Sequence, residues 1–226
     1  IYNFALALVG WLKGGLGHVN VVGSVIFAGM SGTAIADAAG LGTVEIKAMK
    51  DHGYDLEFAV GVTAASATLG PIIPPSLPFV IYAMMANVSV GALFLAGILP
   101  GVLMALLMMV TVAYFAHKNN WGGDVKFSAS RIGRALVELA VVIVWPLATW
   151  ALVNKVGLSA RAVVFGAVVS LFVCDRFFKW QAVLPIMTPV LLIGGMTTGL
   201  FTPTEGAIAA SAWALFLGLA WYRTMN

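Results

Sequence analysis

Apolar residues run along this chain in long blocks, and the polar residues between them fall in a few short clusters. A helix needs about 20 mostly apolar residues to cross the hydrocarbon core, while runs of about 10–14 point to re-entrant or interfacial segments. On that ruler Ile1–Trp11 is short and ends at Lys13-Gly14-Gly15, as a helix does on reaching an interface. His18 to Ile46 is apolar but interrupted by Ser31-Gly32-Thr33, leaving halves of about 13 residues, too short to cross. Lys13 lies beyond one end of this stretch, and Lys47 and Lys50 beyond the other. Two half-length helices, a small polar tip and basic flanks on one side predict a re-entrant hairpin over residues 16–49.

Leu56–Ala86 is long enough to span, yet its centre reads Gly70-Pro71-Ile72-Ile73-Pro74-Pro75-Ser76-Leu77-Pro78. Proline has no amide hydrogen and clashes with the preceding turn, so this segment cannot be continuous helix. It predicts a discontinuous transmembrane helix, unwound near the bilayer midplane. Val90–Phe115 reads as an uninterrupted span with Pro100-Gly101 inside it, and residues 117–134 as a polar cytoplasmic loop. Leu136–Val153 and Ala162–Val173 predict two further spans, followed by apolar runs at Ala182–Leu200 and Pro203–Trp221. If the spans alternate, Lys13, Lys47, Lys50, Lys118, Lys126, Arg131, Arg134, Arg176, Lys179 and Arg223 share one side. The positive-inside rule makes that side cytoplasmic, and the hairpin enters from there.

Composition agrees with this pattern. Of 226 residues, 61% are hydrophobic and 9% charged, and mean hydropathy is +1.00, whereas a soluble domain has about 25% charged residues. Lipid must therefore solvate much of the surface. A net charge of +3 carried by scattered basic residues gives no footprint for nucleic acid. The single Cys174 excludes an intrachain disulfide and a cysteine-cluster metal site. No phosphate-binding Gly-x-x-x-x-Gly-Lys, His-Glu-x-x-His or Gly-x-Ser-x-Gly occurs, so any pumping is expected to draw on an ion gradient rather than ATP. The chain starts inside an apolar stretch without an initiator Met, and the expectation is a segment truncated at both ends.

The chemistry is expected at the two breaks. Non-helical backbone in hydrocarbon costs several kcal/mol per unsatisfied group and survives only when buried in protein or lining a watery cavity. Paired interrupted helices build ion sites in secondary transporters, and hard cations take oxygen ligands. Ser31 and Thr33 bring hydroxyls and Gly32 a close backbone approach. Carbonyls around Gly70, Pro71, Ile73 and Pro74 are released by the prolines, and Ser76 adds a hydroxyl. The fit is to Na⁺ as a coupling ion, with no organic cofactor and no transition metal; a plain helix-packing role for Ser-Gly-Thr is the alternative. Asp37 either faces a substrate cavity or hydrogen-bonds backbone amides to hold the tip, with Thr68 and Pro75 supporting it. Thr202, Pro203 and Glu205 form a capping box, a structural role. Glu45 and Glu57, beside basic residues, are expected at the interface.

The run Ser31-Gly32-Thr33-Ala34-Ile35-Ala36-Asp37 resembles the first hairpin of the large membrane subunit of tripartite ATP-independent periplasmic (TRAP) transporters. Thr63-Ala64-Ala65-Ser66, Gly70-Pro71-Ile72-Ile73-Pro74-Pro75-Ser76, Val88-Ser89-Val90-Gly91, Leu93-Phe94-Leu95-Ala96-Gly97 and Phe201-Thr202-Pro203-Thr204-Glu205 follow in the same family's order. The resemblance implies an all-α, inverted-repeat elevator transporter in the bacterial inner membrane. Na⁺ would drive uptake of an organic acid, a C4-dicarboxylate or sugar acid. A periplasmic binding protein would deliver it, and a small membrane subunit would support the scaffold. Residues 1–116 then belong to the first repeat and 181–226 to the start of the second. Residues 135–180 look like an inserted helix pair of about 50 residues, room for two spans. A Na⁺/carboxylate symporter working without a binding protein is the nearest rival. An intramembrane enzyme using Asp37 lacks a second acid or nucleophile at depth.

Overall fold

The computed structural model describes residues 2–123 without interruption, parts of 125–144, positions 184, 188 and 192, and residues 202–221. Among these residues the regular structure is helical, with a single isolated antiparallel bridge between Lys13 and Gly123. The order is α1 (Tyr2–Val9), α2 (Gly15–Ser31), α3 (Ala34–Asp51), α4 (Leu56–Ala67), α5 (Leu77–Ala86), α6 (Val90–Lys118) and α7 (Pro203–Phe216), which continues as a π turn over Leu217–Trp221. The spans expected over 136–178 and 182–200 lie outside the described residues, apart from scattered positions.

Both expected breaks are present. α2 ends where Gly32 takes the left-handed conformation (φ 64°) and donates its N–H to Ala28 O at 3.1 Å. A side chain there would be strained, so glycine ends the helix at low cost. Thr33 then opens α3 as an extended N-cap, its Oγ1 accepting from Ala36 N at 3.3 Å. The second break separates α4 from α5, and Ser76 caps α5 by accepting from Phe79 N at 3.3 Å. α2 and α3 are 17 and 18 residues long, more than the halves of about 13 expected from the apolar run. Hydropathy stops counting at a charged residue. Backbone bonding does not, so α3 continues through Lys47, Lys50 and Asp51.

α6 extends to Lys118 and is the one described helix long and apolar enough to cross a membrane. Its outer side chains are bare, Leu99 at 78% and Val110 at 66% exposure, as befits a surface solvated by lipid. α2 is the central helix and packs against α1, α3, α4 and α6, while α5 lies on α6. Near the lysine-bearing end, Trp121 packs at a tilt against Tyr54 (4.6 Å between ring centroids) and Phe58 (4.7 Å). Around them Leu16, Met49, Tyr54 and Ala59 make a buried apolar cluster. The chain closes there as well: Gly14 N donates to Gly122 O at 3.0 Å and Val125 N to Gly10 O at 3.2 Å.

The middle of this bundle is polar. Asn20 Nδ2 donates to Glu45 Oε2 (2.8 Å) and Thr63 Oγ1 (2.7 Å), and Asn20 Oδ1 accepts from Ser66 Oγ (2.7 Å). Ser24 Oγ donates to Ser66 Oγ at 3.0 Å. One side chain thus ties α2 to both α3 and α4. Glu45, expected at the interface, is buried instead: the α3 helix turns it inward, and Lys47 and Lys50 point outward from other faces. Glu57 is exposed, as its position at a helix start suggests. Asn20→Ala is expected to cost about 2–4 kcal/mol, because it strands buried partners on two helices. Thermal unfolding of the full-length protein in detergent checks this, with Val110→Ala as a near-neutral control.

Candidate functional site

Two breaks produced by local chemistry come together in space. Leu77 N donates to Gly32 O at 3.3 Å, joining the start of α5 to the tip of the α2–α3 hairpin. A Cβ on Gly32 would collide with Pro75 O, and one on Gly70 would lie 2.8 Å from both Thr33 C and Thr33 O. Backbone meets backbone here, with no room for a side chain between. The segment also leans on α6, where a Cβ at Gly97 would lie 2.7 Å from Ile72 O and one at Gly101 2.6 Å from Ile73 Cγ1.

Ser31, Gly32, Thr33, Gly70, Pro71, Ile73, Pro74, Pro75 and Ser76 therefore belong to one small region. Ser31 Oγ turns toward Thr33 O at 3.5 Å. Ser76 is buried, its hydroxyl donating to Pro71 O, and the Pro74–Pro75 peptide is cis. Among the described residues the carbonyls of Gly70, Ile73 and Pro74 accept no backbone hydrogen bond. Unpaired carbonyls beside hydroxyl oxygens suit a hard cation without a fixed charge. Ile73 contributes backbone only, since its side chain packs against α6.

Other candidate residues stand elsewhere. Thr68 caps the end of α4, exposed, with its hydroxyl donating to Ala65 O at 2.6 Å. Asp37 is buried, but neither carboxylate oxygen is hydrogen-bonded, so it does not hold the tip through backbone amides. It points into the bundle, where Ser24 is its side-chain neighbour, because the first turn of α3 directs that position toward α2. At α7, Thr202 Oγ1 accepts from Glu205 N (3.4 Å) and Thr202 N donates to Glu205 Oε2 (2.8 Å), closing the box ahead of Pro203. No hydrogen bond between these residues and the tip is present among the described residues. The polar core of Asn20, Ser24, Glu45, Thr63 and Ser66 was not anticipated. Its trace in the sequence was Asn20 with Ser24, and Thr63 with Ser66, spaced to share a face of otherwise apolar helices. A groove of about 1030 Å³ between α4 and α6, lined by residues such as Phe58, Leu107 and Met108, includes none of the tip or break residues.

Helices apolar outside and polar within, broken where two of them meet, define an all-α membrane protein of the transporter class. The chain belongs to the DctM component family of tripartite ATP-independent periplasmic transporters, whose family model matches residues 1–226. It is 40% identical over 226 residues to the sialic acid TRAP transporter large permease protein of Vibrio cholerae, covering all of this chain and 43% of that protein. It is 37% identical to the sialic acid TRAP transporter permease protein of Haemophilus influenzae, covering all of this chain and 30% of that protein. The C4-dicarboxylate TRAP transporter large permease protein of Vibrio cholerae is 32% identical, again over all of this chain and 40% of that protein. The chain thus spans less than half the length of these relatives.

Gly70→Ala is expected to cost about 1–3 kcal/mol by overpacking against Thr33. Gly61→Ala on α4, where an added Cβ meets nothing within 4 Å, is expected to be neutral or stabilising by about 0.5–1 kcal/mol. Paired melting curves of the two variants measure the contrast.

Proposed function

We propose that this chain carries one ion-binding half of a Na⁺-coupled transporter that moves an organic acid across the bacterial inner membrane. The observation that carries the reading is the meeting of the Ser31-Gly32-Thr33 tip with the Gly70–Ser76 break, bringing unpaired carbonyls next to hydroxyl oxygens. Na⁺ lies among these oxygens, with Ser31, Thr33 and Ser76 offering side chains and Gly70, Pro71, Ile73 and Pro74 offering carbonyls. In this reading the α2–α3 pair is a re-entrant hairpin entered from the cytoplasm, and α4–α5 is one discontinuous span. Lys13, Lys47 and Lys50, all exposed and at the hairpin's open end, agree with that orientation. The chain is multi-pass. Residues 1–116 serve as the first of two inverted repeats, 117–134 as a cytoplasmic loop and 181–226 as the start of the second repeat. The second repeat completes the substrate site.

Relatives at 40% and 37% identity carry sialic acid in their names, and others carry C4-dicarboxylate or 2,3-diketo-L-gulonate. A sugar acid is therefore the preferred substrate class, delivered by a periplasmic binding protein and carried with a small membrane subunit beside this one. Binding energy for Na⁺ comes from oxygens already in place, and the ion gradient supplies the drive that a chain without a phosphate loop must find elsewhere.

The experiment is uptake of labelled sialic acid and C4-dicarboxylates into proteoliposomes holding the full-length protein and its small partner. Binding protein is added outside, with and without an inward Na⁺ gradient. Uptake should require both Na⁺ and the binding protein, and Thr33→Val and Ser76→Ala should each lower it at least about tenfold at limiting Na⁺. Uptake by Na⁺ alone would replace the binding-protein reading with an independent symporter. Uptake indifferent to Na⁺ would end the ion-site reading.

A further inference from the structure

The polar core between α2, α3 and α4 is bonded mostly within itself, with Asp37 at its edge. Ser24 Oγ donates to Ser66 Oγ at 3.0 Å, and Ser66 Oγ reaches Asn20 Oδ1 at 2.7 Å and Thr63 O at 3.1 Å. Both hydrogens of the Asn20 amide go to Glu45 Oε2 and Thr63 Oγ1, and Thr63 sends its own to Ala59 O at 2.8 Å. The Asp37 carboxylate is 2% exposed with neither oxygen hydrogen-bonded, and Ser24 is the side chain it meets. A hydroxyl has one hydrogen. Ser24 therefore has one hydrogen for two neighbours, Ser66 and Asp37, and cannot serve both.

A buried carboxylate with at most one shared hydroxyl as donor is unfavourable unless something electropositive lies beside it. No basic side chain within residues 2–123 supplies it. Lys13, Lys47, Lys50 and Lys118 are exposed, and His18 lies on a different face of α2 from Ser24. Glu45, on the same inward side of α3, adds a second acid rather than a counter-charge.

We propose that Asp37, with the hydroxyl oxygens of Ser24 and Ser66, holds a small monovalent cation at a site separate from the tip and the break. One carboxylate with neutral hydroxyls matches a single positive charge, and hard oxygen ligands favour an alkali cation over a transition metal. The site uses side chains inside intact helices, whereas the tip site uses backbone released by broken ones. It sits one turn along α3 from the N-cap Thr33, so an ion there fastens the first turn of α3 to α2 and α4. Neither site needs the other to exist.

Equilibrium binding of radioactive Na⁺ to the purified full-length protein tests this. Asp37→Asn and Ser24→Ala are the diagnostic variants, and Thr33→Val reports on the tip. Asp37→Asn should reduce the number of bound ions by one. Ser24→Ala, which keeps the charge and removes one oxygen, should stay folded and weaken one class of site by about tenfold. A wild-type ion count and affinity in both variants would overturn the proposal. So would an infrared band of a protonated carboxylic acid, lost in Asp37→Asn but persisting in the wild type at saturating Na⁺, because Asp37 would then carry a proton instead. An unchanged count in Thr33→Val, with the Asp37 effect intact, would remove the tip reading and leave this one standing.

Discussion

A peptide group released from a helix inside a membrane has no water to turn to, and two such releases in one bundle have to be resolved by each other. The Leu77 N–H bond to Gly32 O does this directly, tying the first turn of α5 to the end of α2. The surrounding sequence follows from that contact. Gly32 must adopt a positive φ to end α2, and the approach of Gly70 to the Thr33 backbone leaves no space for a Cβ. Ser76 and Thr33 cap the helices that restart beyond the breaks, so the amides of the new first turns are also served. The carbonyls left over at Gly70, Ile73 and Pro74 are then what remains of a nearly complete hydrogen-bond account, and they are the oxygens on which the proposed cation site rests.

The same economy governs the bundle's cross-section. Apolar side chains face outward from α5 and α6, where lipid is as apolar as they are and burial brings little gain. Cohesion between α2, α3 and α4 is carried instead by Asn20 and the hydroxyls of Ser24, Thr63 and Ser66, and by the aromatic contacts of Tyr54, Phe58 and Trp121 at one end. In a medium of low polarity such a network is stiff when satisfied and costly when cut. The hairpin and the first half of the broken helix are therefore joined by directional bonds as well as by packing.

Much of this was legible in the chain. The two breaks were readable because glycine and proline act locally: Gly32 and the Pro71–Pro78 cluster interrupt helices whatever surrounds them. The capping box at Thr202–Glu205 was readable for the same reason, being closed within four residues. Helix lengths were less so, because α3 runs on through charged residues that a hydropathy ruler excludes. Long-range partnerships were the hardest. Glu45 looked interfacial beside Lys47, and only the crossing of α2 over α3 turns it toward Asn20. Asp37 was left open between a substrate cavity and the tip amides, and its side chain meets Ser24 rather than those amides, since a position one turn into a helix faces whatever packs beside that turn.

The bonds from Gly14 to Gly122 and from Val125 to Gly10 carry a mechanical meaning. They bring the segment entering α2 and the segment leaving α6 to one place, so the chain enters and leaves this unit through one bonded junction. A body held at two distant points strains both tethers when it shifts. A body held at one point turns about it, and the distance its connections must span stays constant. A displacement of the unit from α2 to α6 that keeps these two bonds would leave its entry and exit side by side, at Gly10 and Gly14 and at Gly122 and Val125.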